Sequence, residues 1–124
     1  MSFKVSENEY AKFRLEENIV HLIYNHGVEI TEEVAKKMVQ DLSAFQQGYV
    51  YPYLIDLTGI SVLTKEARSY LSTARTKLIT KVAFLVRSHH SRMLGSFYLT
   101  VNKPVGTTEM FSNEEEAIRF LKLK

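Results

Sequence analysis

The amino-acid sequence predicts an α/β fold: a mixed, mostly parallel sheet in the element order β-β-α-β-α-β-α-β-α, with helices mainly on one face. Three stretches carry that expectation. Residues 10–24 read as an antiparallel hairpin, and residues 52–71 as a buried strand, a short loop and a capped amphipathic helix. The run Val82-Ala-Phe-Leu-Val86 is apolar at every position, the pattern of a central parallel strand covered on both sides. At 124 residues the chain fits a single domain, residues 1–124, large enough to bury a core without staples.

Each element has a local reason. Between residues 10 and 16, Ala11, Phe13 and Leu15 alternate with Lys12, Arg14 and Glu16, the period-two signature of a half-exposed strand, placed here at a sheet edge. Glu17-Asn18 supplies a tight turn, and Ile19 to Tyr24 follows with apolar groups on both faces. Asn25-His-Gly27 ends the hairpin. Thr31 is placed to cap a first helix, with Glu32 and Glu33 at the positive end of its dipole. Val34, Met38, Leu42 and Phe45 form its buried stripe, and Gly48 stops it.

The strand Tyr53–Leu57 comes next, with Pro52 at its start, where a missing N–H is tolerated. Thr64 caps a second helix whose inward stripe is Ala67, Leu71, Ala74 and Leu78; two alanines there imply close packing on the sheet. After Val82–Val86, Ser88 or Ser91 caps a third helix carrying Met93, Leu94, Phe97, Tyr98 and Val101. Gly95 costs that helix about 1 kcal/mol relative to alanine, so it is expected to mark a close contact. Asn102-Lys-Pro104 ends the helix and Thr107–Phe111 is a short last strand. Ser112-Asn-Glu-Glu115 is a capping-box signature, opening a helix with Ala117, Ile118 and Leu121 inward. Right-handed crossovers between successive parallel neighbours would place all of the helices on one face. The other face would then be poorly covered and would ask for a partner, a second copy or another protein.

Composition narrows the function classes. The absence of cysteine excludes disulfides, thiolate chemistry and Cys-based zinc sites. No run is apolar enough to span a membrane, and the N-terminal Met-Ser-Phe-Lys-Val-Ser-Glu lacks an apolar signal core, so a cytoplasmic protein is expected. Residues 1–62 carry a net charge of −4 and residues 63–124 one of +6. That asymmetry permits an anionic partner but lacks the dense Lys/Arg stripe of a nucleic-acid footprint. Nucleophile-elbow, phosphate-loop and dinucleotide glycine fingerprints are absent, so neither catalysis nor a cofactor is expected.

The element order, and the strand–loop–helix at 53–71, resemble the STAS domain of anti-sigma-factor antagonists, the SpoIIAA-like fold. The chain is most similar to small bacterial STAS/SEC14 domain-containing proteins of uncharacterised function. The stretches that carry the likeness are Leu54-Ile-Asp-Leu-Thr, Leu63-Thr-Lys-Glu-Ala-Arg, Asn102-Lys-Pro and Phe111-Ser-Asn-Glu-Glu-Glu-Ala. In signalling members of that family an Asp-Ser-x-Gly-like sequence opens the helix, and phosphorylation of its Ser breaks a partner complex. Here Thr64 stands in for the Asp as cap, but Lys65 occupies the phosphoacceptor position and Ala67 replaces the Gly. The resemblance thus implies a regulatory or protein-interaction module without the usual switch. The SEC14 part of the likeness implies the alternative, a small-ligand or lipid-binding domain with an apolar pocket near helix 91–101.

Several side chains have both a plain and a functional reading. Thr64 and Ser61 are a helix cap and a loop hydroxyl, or phosphoacceptors at the positive end of a helix. Arg87, His89, His90 and Arg92 form a solvated basic loop, or an anion site at the C-terminal end of the central strand. His89 and His90, as sequence neighbours without a local carboxylate, do not make a metal site. His21, among apolar neighbours, reads as a half-buried core histidine, and Asp56 as an acceptor for loop N–H groups.

Overall fold

A computed structural model of the chain describes residues 4–74, 78–104 and 106–123. Its main sheet joins β1 (Lys4–Glu7), β2 (Ala11–Glu16), β3 (Ile19–Tyr24), β5 (Tyr51–Asp56), β7 (Ile79–Leu85) and β8 (Thr107–Phe111) in that order. β1, β2 and β3 are antiparallel, and β3, β5, β7 and β8 are parallel. A second, two-stranded parallel sheet pairs β4 (Val28–Ile30) with β6 (Ile60–Leu63). The helices are α1 (Glu32–Gln46), α2 (Lys65–Ala74), α3 (His89–Phe97) and α4 (Glu114–Lys122), and a π-helical turn, Tyr98–Asn102, prolongs α3.

Most local expectations hold. Glu17 and Asn18 both take positive φ, 53° and 62°, the turn geometry whose twist matches an antiparallel hairpin. The Thr31 side chain accepts from the Val34 N–H, and α1 buries Met38, Leu42 and Phe45 before ending at the left-handed Gln47 and Gly48. Pro52 lies where the register between β5 and β7 shifts, so the ladder loses no donor it would otherwise use. Ser88 caps α3 in a reciprocal capping box with Ser91. Gly95 marks a close approach as expected: a Cβ there would stand 2.8 Å from Met110 Sδ and 3.3 Å from Leu57 Cδ1.

Four expectations change. β2 is not an edge strand, because β1 pairs outside it; Lys4-Val-Ser-Glu has one apolar residue and therefore no readable period. Lys4 holds β1 in place by donating to the Phe45 carbonyl at 2.7 Å, at the negative end of α1. The stretch between β5 and α2 is a strand, β6, with only Ile60 buried, so it too lacks a burial pattern. The described part of α2 reaches Ala74, and Leu78, expected on its inward stripe, is a turn residue leading into β7; residues 75–77 fall outside the described residues. The cap of α4 is Asn113, whose side chain accepts from the Glu116 N–H, one residue after the expected Ser112.

Three helices share one face, where Tyr53, Val82 and Phe84 pack with Met38, Leu42, Ala67 and Tyr98. α4 crosses to the other face and buries Ala117 and Leu121 against Ile19, Leu54, Ala83 and Leu85. It follows β8, the strand at that edge of the sheet among the described residues. Lys81 of β7 clamps the helix end, donating to the Phe120 and Leu123 carbonyls at 2.8 and 2.7 Å. The expectation that all helices lie on one face is thus corrected. Among the described residues, the β1–β3 end of the second face is left uncovered, with Val5 and Ile23 exposed beside Glu7, Lys12, Arg14 and His21.

His21 is 5% exposed, and its Nδ1 lies 3.4 Å from Arg14 Nη2, a placement that assigns the proton to Nε2. Burial, and then the Arg14 charge, lower its pKa, while Glu16, Glu114 and Glu17 pull the other way. Below about pH 6.5 the unfolded chain therefore takes up a proton that the folded chain refuses. Stability should be full above that pH and fall as pH drops toward the folded pKa, and His21→Gln should remove this part of the slope. An NMR titration giving His21 a midpoint at or above its ordinary value would contradict it. A second expectation concerns Gly59, where a Cβ would meet Tyr24 O at 2.4 Å and Asn25 O at 2.6 Å. Because both are backbone atoms, Gly59→Ala should cost at least about 2 kcal/mol. Gly95→Ala, which meets a flexible methionine, should cost less. Urea unfolding midpoints check the pair, and wild-type behaviour of Gly59→Ala would refute the steric argument.

Candidate functional site

The polar residues singled out in the sequence gather at the C-terminal ends of β5 and β7 and the start of α3, and the structure connects several of them. Asp56 Oδ1 accepts from the Thr58 N–H at 2.9 Å, the loop-bracing role expected of it. Its Oδ2 lies 3.4 Å from Arg87 Nε, and Arg87 Nη2 lies 3.2 Å from Glu114 Oε1 at the start of α4. Arg87 therefore joins β5, β7 and α4 through two carboxylates. The Ser61 hydroxyl donates to the Gly27 and Val28 carbonyls at 3.0 and 2.9 Å, and the Ser61 carbonyl faces His90 Nε2 at 2.9 Å. Thr64 Oγ1 accepts from the Ala67 N–H at 3.1 Å, as a helix cap does. His89 and Arg92 are exposed. Among the described residues, no three His, Asp or Glu side chains converge as metal ligands, and no helix is long and apolar enough to cross a membrane.

A different place offers room. Between α1, α2 and the sheet lies a cavity of about 150 Å³. From the sheet come Leu22, Tyr24, Tyr53, Ile55, Val82 and Phe84; from α1 come Met38, Val39, Leu42, Ser43 and Gln46; from α2 come Leu71 and Ala74. Tyr98, the first residue of the π-helical turn, closes one side, its ring 5.8 Å from that of Phe84. Val39, Ser43 and Ala74 are partly or fully exposed and mark where the cavity meets solvent. The expected close packing of α2 holds at Ala67, which is fully buried, but at Ala74 the short side chain leaves space instead.

The few polar groups in this wall are neutral. Burial raises the pKa of Tyr24 and of Tyr53 well above the ordinary tyrosine value, so both stay protonated. The Tyr53 hydroxyl donates to Gln46 Oε1, and Gln46 Nε2 donates to the Tyr49 and Leu78 carbonyls, both at 3.0 Å. Of the expected helix 91–101, the cavity touches Tyr98.

Residues outside the original candidates therefore matter most: Tyr24, Gln46, Tyr53 and Tyr98. The available signal was the presence of tyrosine at inward strand positions where leucine or valine would pack without a hydroxyl to satisfy. Arg68 was also missed. It donates to Asn102 Oδ1 at 3.1 Å and to the Leu63 carbonyl at 3.2 Å, and its guanidinium lies 4.5 Å from the Phe97 ring centre. Two of the stretches that carry the family likeness thus touch each other, and they fix the π-helical turn against α2.

Residues 13–123 match a domain of unknown function, DUF7793. No curated protein matches the chain significantly. Among solved structures, the chain is similar to an uncharacterised protein of the DUF3478 family with a SpoIIAA-like fold from Shewanella loihica PV-4. That match has a TM-score of 0.57 at 16% identity and covers 97% of this chain and 92% of the other. A protein of unknown function from Arthrobacter sp. FB24 gives a TM-score of 0.36 at 23% identity, covering 90% and 99%. The fold is SpoIIAA-like, as the resemblance implied.

Proposed function

Because the chain belongs to the DUF7793 family and has a SpoIIAA-like fold, we propose that it is a non-catalytic binding domain that encloses a small apolar molecule beneath α1 and α2. The cavity carries this reading. The space, about 150 Å³, meets solvent at Val39, Ser43 and Ala74, and its mostly apolar wall lacks packing partners on one side. An occupant restores those contacts. Dry, apolar protein cavities of about this volume take up benzene-sized molecules. The non-catalytic part is supported by the chemistry of the wall, where no Lys, Arg, His, Asp or Glu is among the described residues and burial holds Tyr24 and Tyr53 in their protonated form. Toluene at millimolar concentration should raise the thermal midpoint of the wild type by ligand linkage. Val39→Phe, which fills the cavity from its rim, should abolish the increase. An equal response from the two proteins would sink the reading.

A second surface supports the reading of the fold as a protein-interaction module that works as a homodimer. Met93, Phe97 and Val101 recur every four residues along α3 and the π-helical turn and are 59, 49 and 55% exposed. Three large apolar side chains in one outward row are what an interface core needs. On this reading the wild type elutes with the mass of a dimer at micromolar concentration and Phe97→Glu as a monomer. Light scattering that finds monomeric wild type would remove it.

A further inference from the structure

The hydrogen-bond arithmetic at the Gln46 end of the cavity specifies its ligand more narrowly than apolar packing does. Gln46 is 3% exposed, and both amide protons are spent on the Tyr49 and Leu78 carbonyls. Those two acceptors fix the orientation of the amide, since the flipped form would set carbonyl against carbonyl. Oε1 must then face Tyr53, whose only hydroxyl proton it accepts. Neither side chain has a donor left at this spot. What remains is acceptor capacity: the lone pairs of Tyr53 Oη and the second lone pair of Gln46 Oε1.

No Lys, Arg, His, Asp or Glu is among the described residues lining the cavity. Among these residues a carboxylate would find no counter-charge to offset its lost hydration, and an ammonium would fare no better. A neutral O–H, in contrast, keeps its hydrogen bond on leaving water while its hydrocarbon part fills the apolar space.

We propose that the cavity selects a neutral, benzene-sized hydrogen-bond donor, a phenol or short-chain alcohol, held by its hydroxyl at Tyr53 and Gln46. This rests on the cavity being a binding site, and the test separates the two. Dissociation constants for phenol, toluene, anisole and benzoate are measured by calorimetry or ligand-observed NMR on the wild type and on Val39→Phe. In a wall without acceptors, toluene would outbind phenol about tenfold, because the hydroxyl would be buried unpaired. The inference requires phenol to bind at least as tightly as toluene, with anisole, which has no donor, and benzoate, which is charged, both weaker than phenol. It also requires phenol affinity to be lost in Val39→Phe. Toluene or benzoate binding more tightly than phenol overturns the choice of ligand and leaves the cavity reading intact. Failure of every probe to bind the wild type overturns both. A folded Gln46→Met variant adds a reversal: freeing the Tyr53 proton turns the spot into a donor, so anisole should gain on phenol. An unchanged ratio would contradict the assignment.

Discussion

The structure depends on burying both faces of β5 and β7. Tyr53, Val82 and Phe84 point to the α1–α3 side, and Leu54, Ala83 and Leu85 to the α4 side. A fully buried leucine is worth roughly 1.5–3 kcal/mol over an exposed one. Leaving Leu54 and Leu85 in water would therefore remove several kcal/mol from a total of about 5–15. No crossover connection requires a helix on that side. α4 goes there because Ala117 and Leu121 match the apolar patch waiting for it. Lys81 secures the arrangement by capping the helix end from within β7.

The same two strands shape the cavity on the opposite face. α1 and α2 lie side by side across them, and both must also leave room for the π-helical turn, which Arg68 holds against α2. Ala67, fully buried, lets α2 approach the sheet closely at one end. Ala74, just under two turns later, has no side chain long enough to fill what opens at the other end. Gln46 and Tyr53 then act as a fixed polar corner, tied to each other and to the Tyr49 and Leu78 carbonyls, in a wall whose other polar side chains among the described residues are Tyr24, Ser43, Tyr98 and Thr108. Polar groups so placed are costly unless paired, which sets this corner apart from the hydrocarbon around it.

Much of the fold was readable because strong patterns dominate it. The hairpin turn at Glu17-Asn18, the stripe of α1, the Ser88 cap and the apolar run Val82–Val86 are local signals that tertiary structure had no reason to override. β1 and the β4–β6 pair escaped for one physical cause: strands of three or four residues with at most one buried side chain carry no measurable period. The side taken by α4 was not a local property, since an amphipathic helix states that it needs an apolar surface but not which one. The cavity was unreadable for a deeper reason. Every residue in its wall looks like a core residue taken singly, and a gap exists only in the sum of their volumes.

These observations shift attention from one end of the sheet to its interior. In open α/β sheets, ligands usually bind beyond the C-terminal ends of the strands, where loops leave a crevice. Here that end is stitched together: Ser61 to the β4 turn, His90 to Ser61, Arg87 to Asp56 and Glu114, and Ser88 to Ser91. Groups already paired with each other must give up those bonds before they can meet a ligand, so their number overstates what they offer. Beneath α1 and α2 the balance is reversed. The wall has few polar groups, but Tyr53 and Gln46 keep unfilled acceptor positions, and the hydrocarbon around them has lost contacts that an occupant would supply. The binding proposal rests on that balance, a tied loop end above an interior that still has contacts to make.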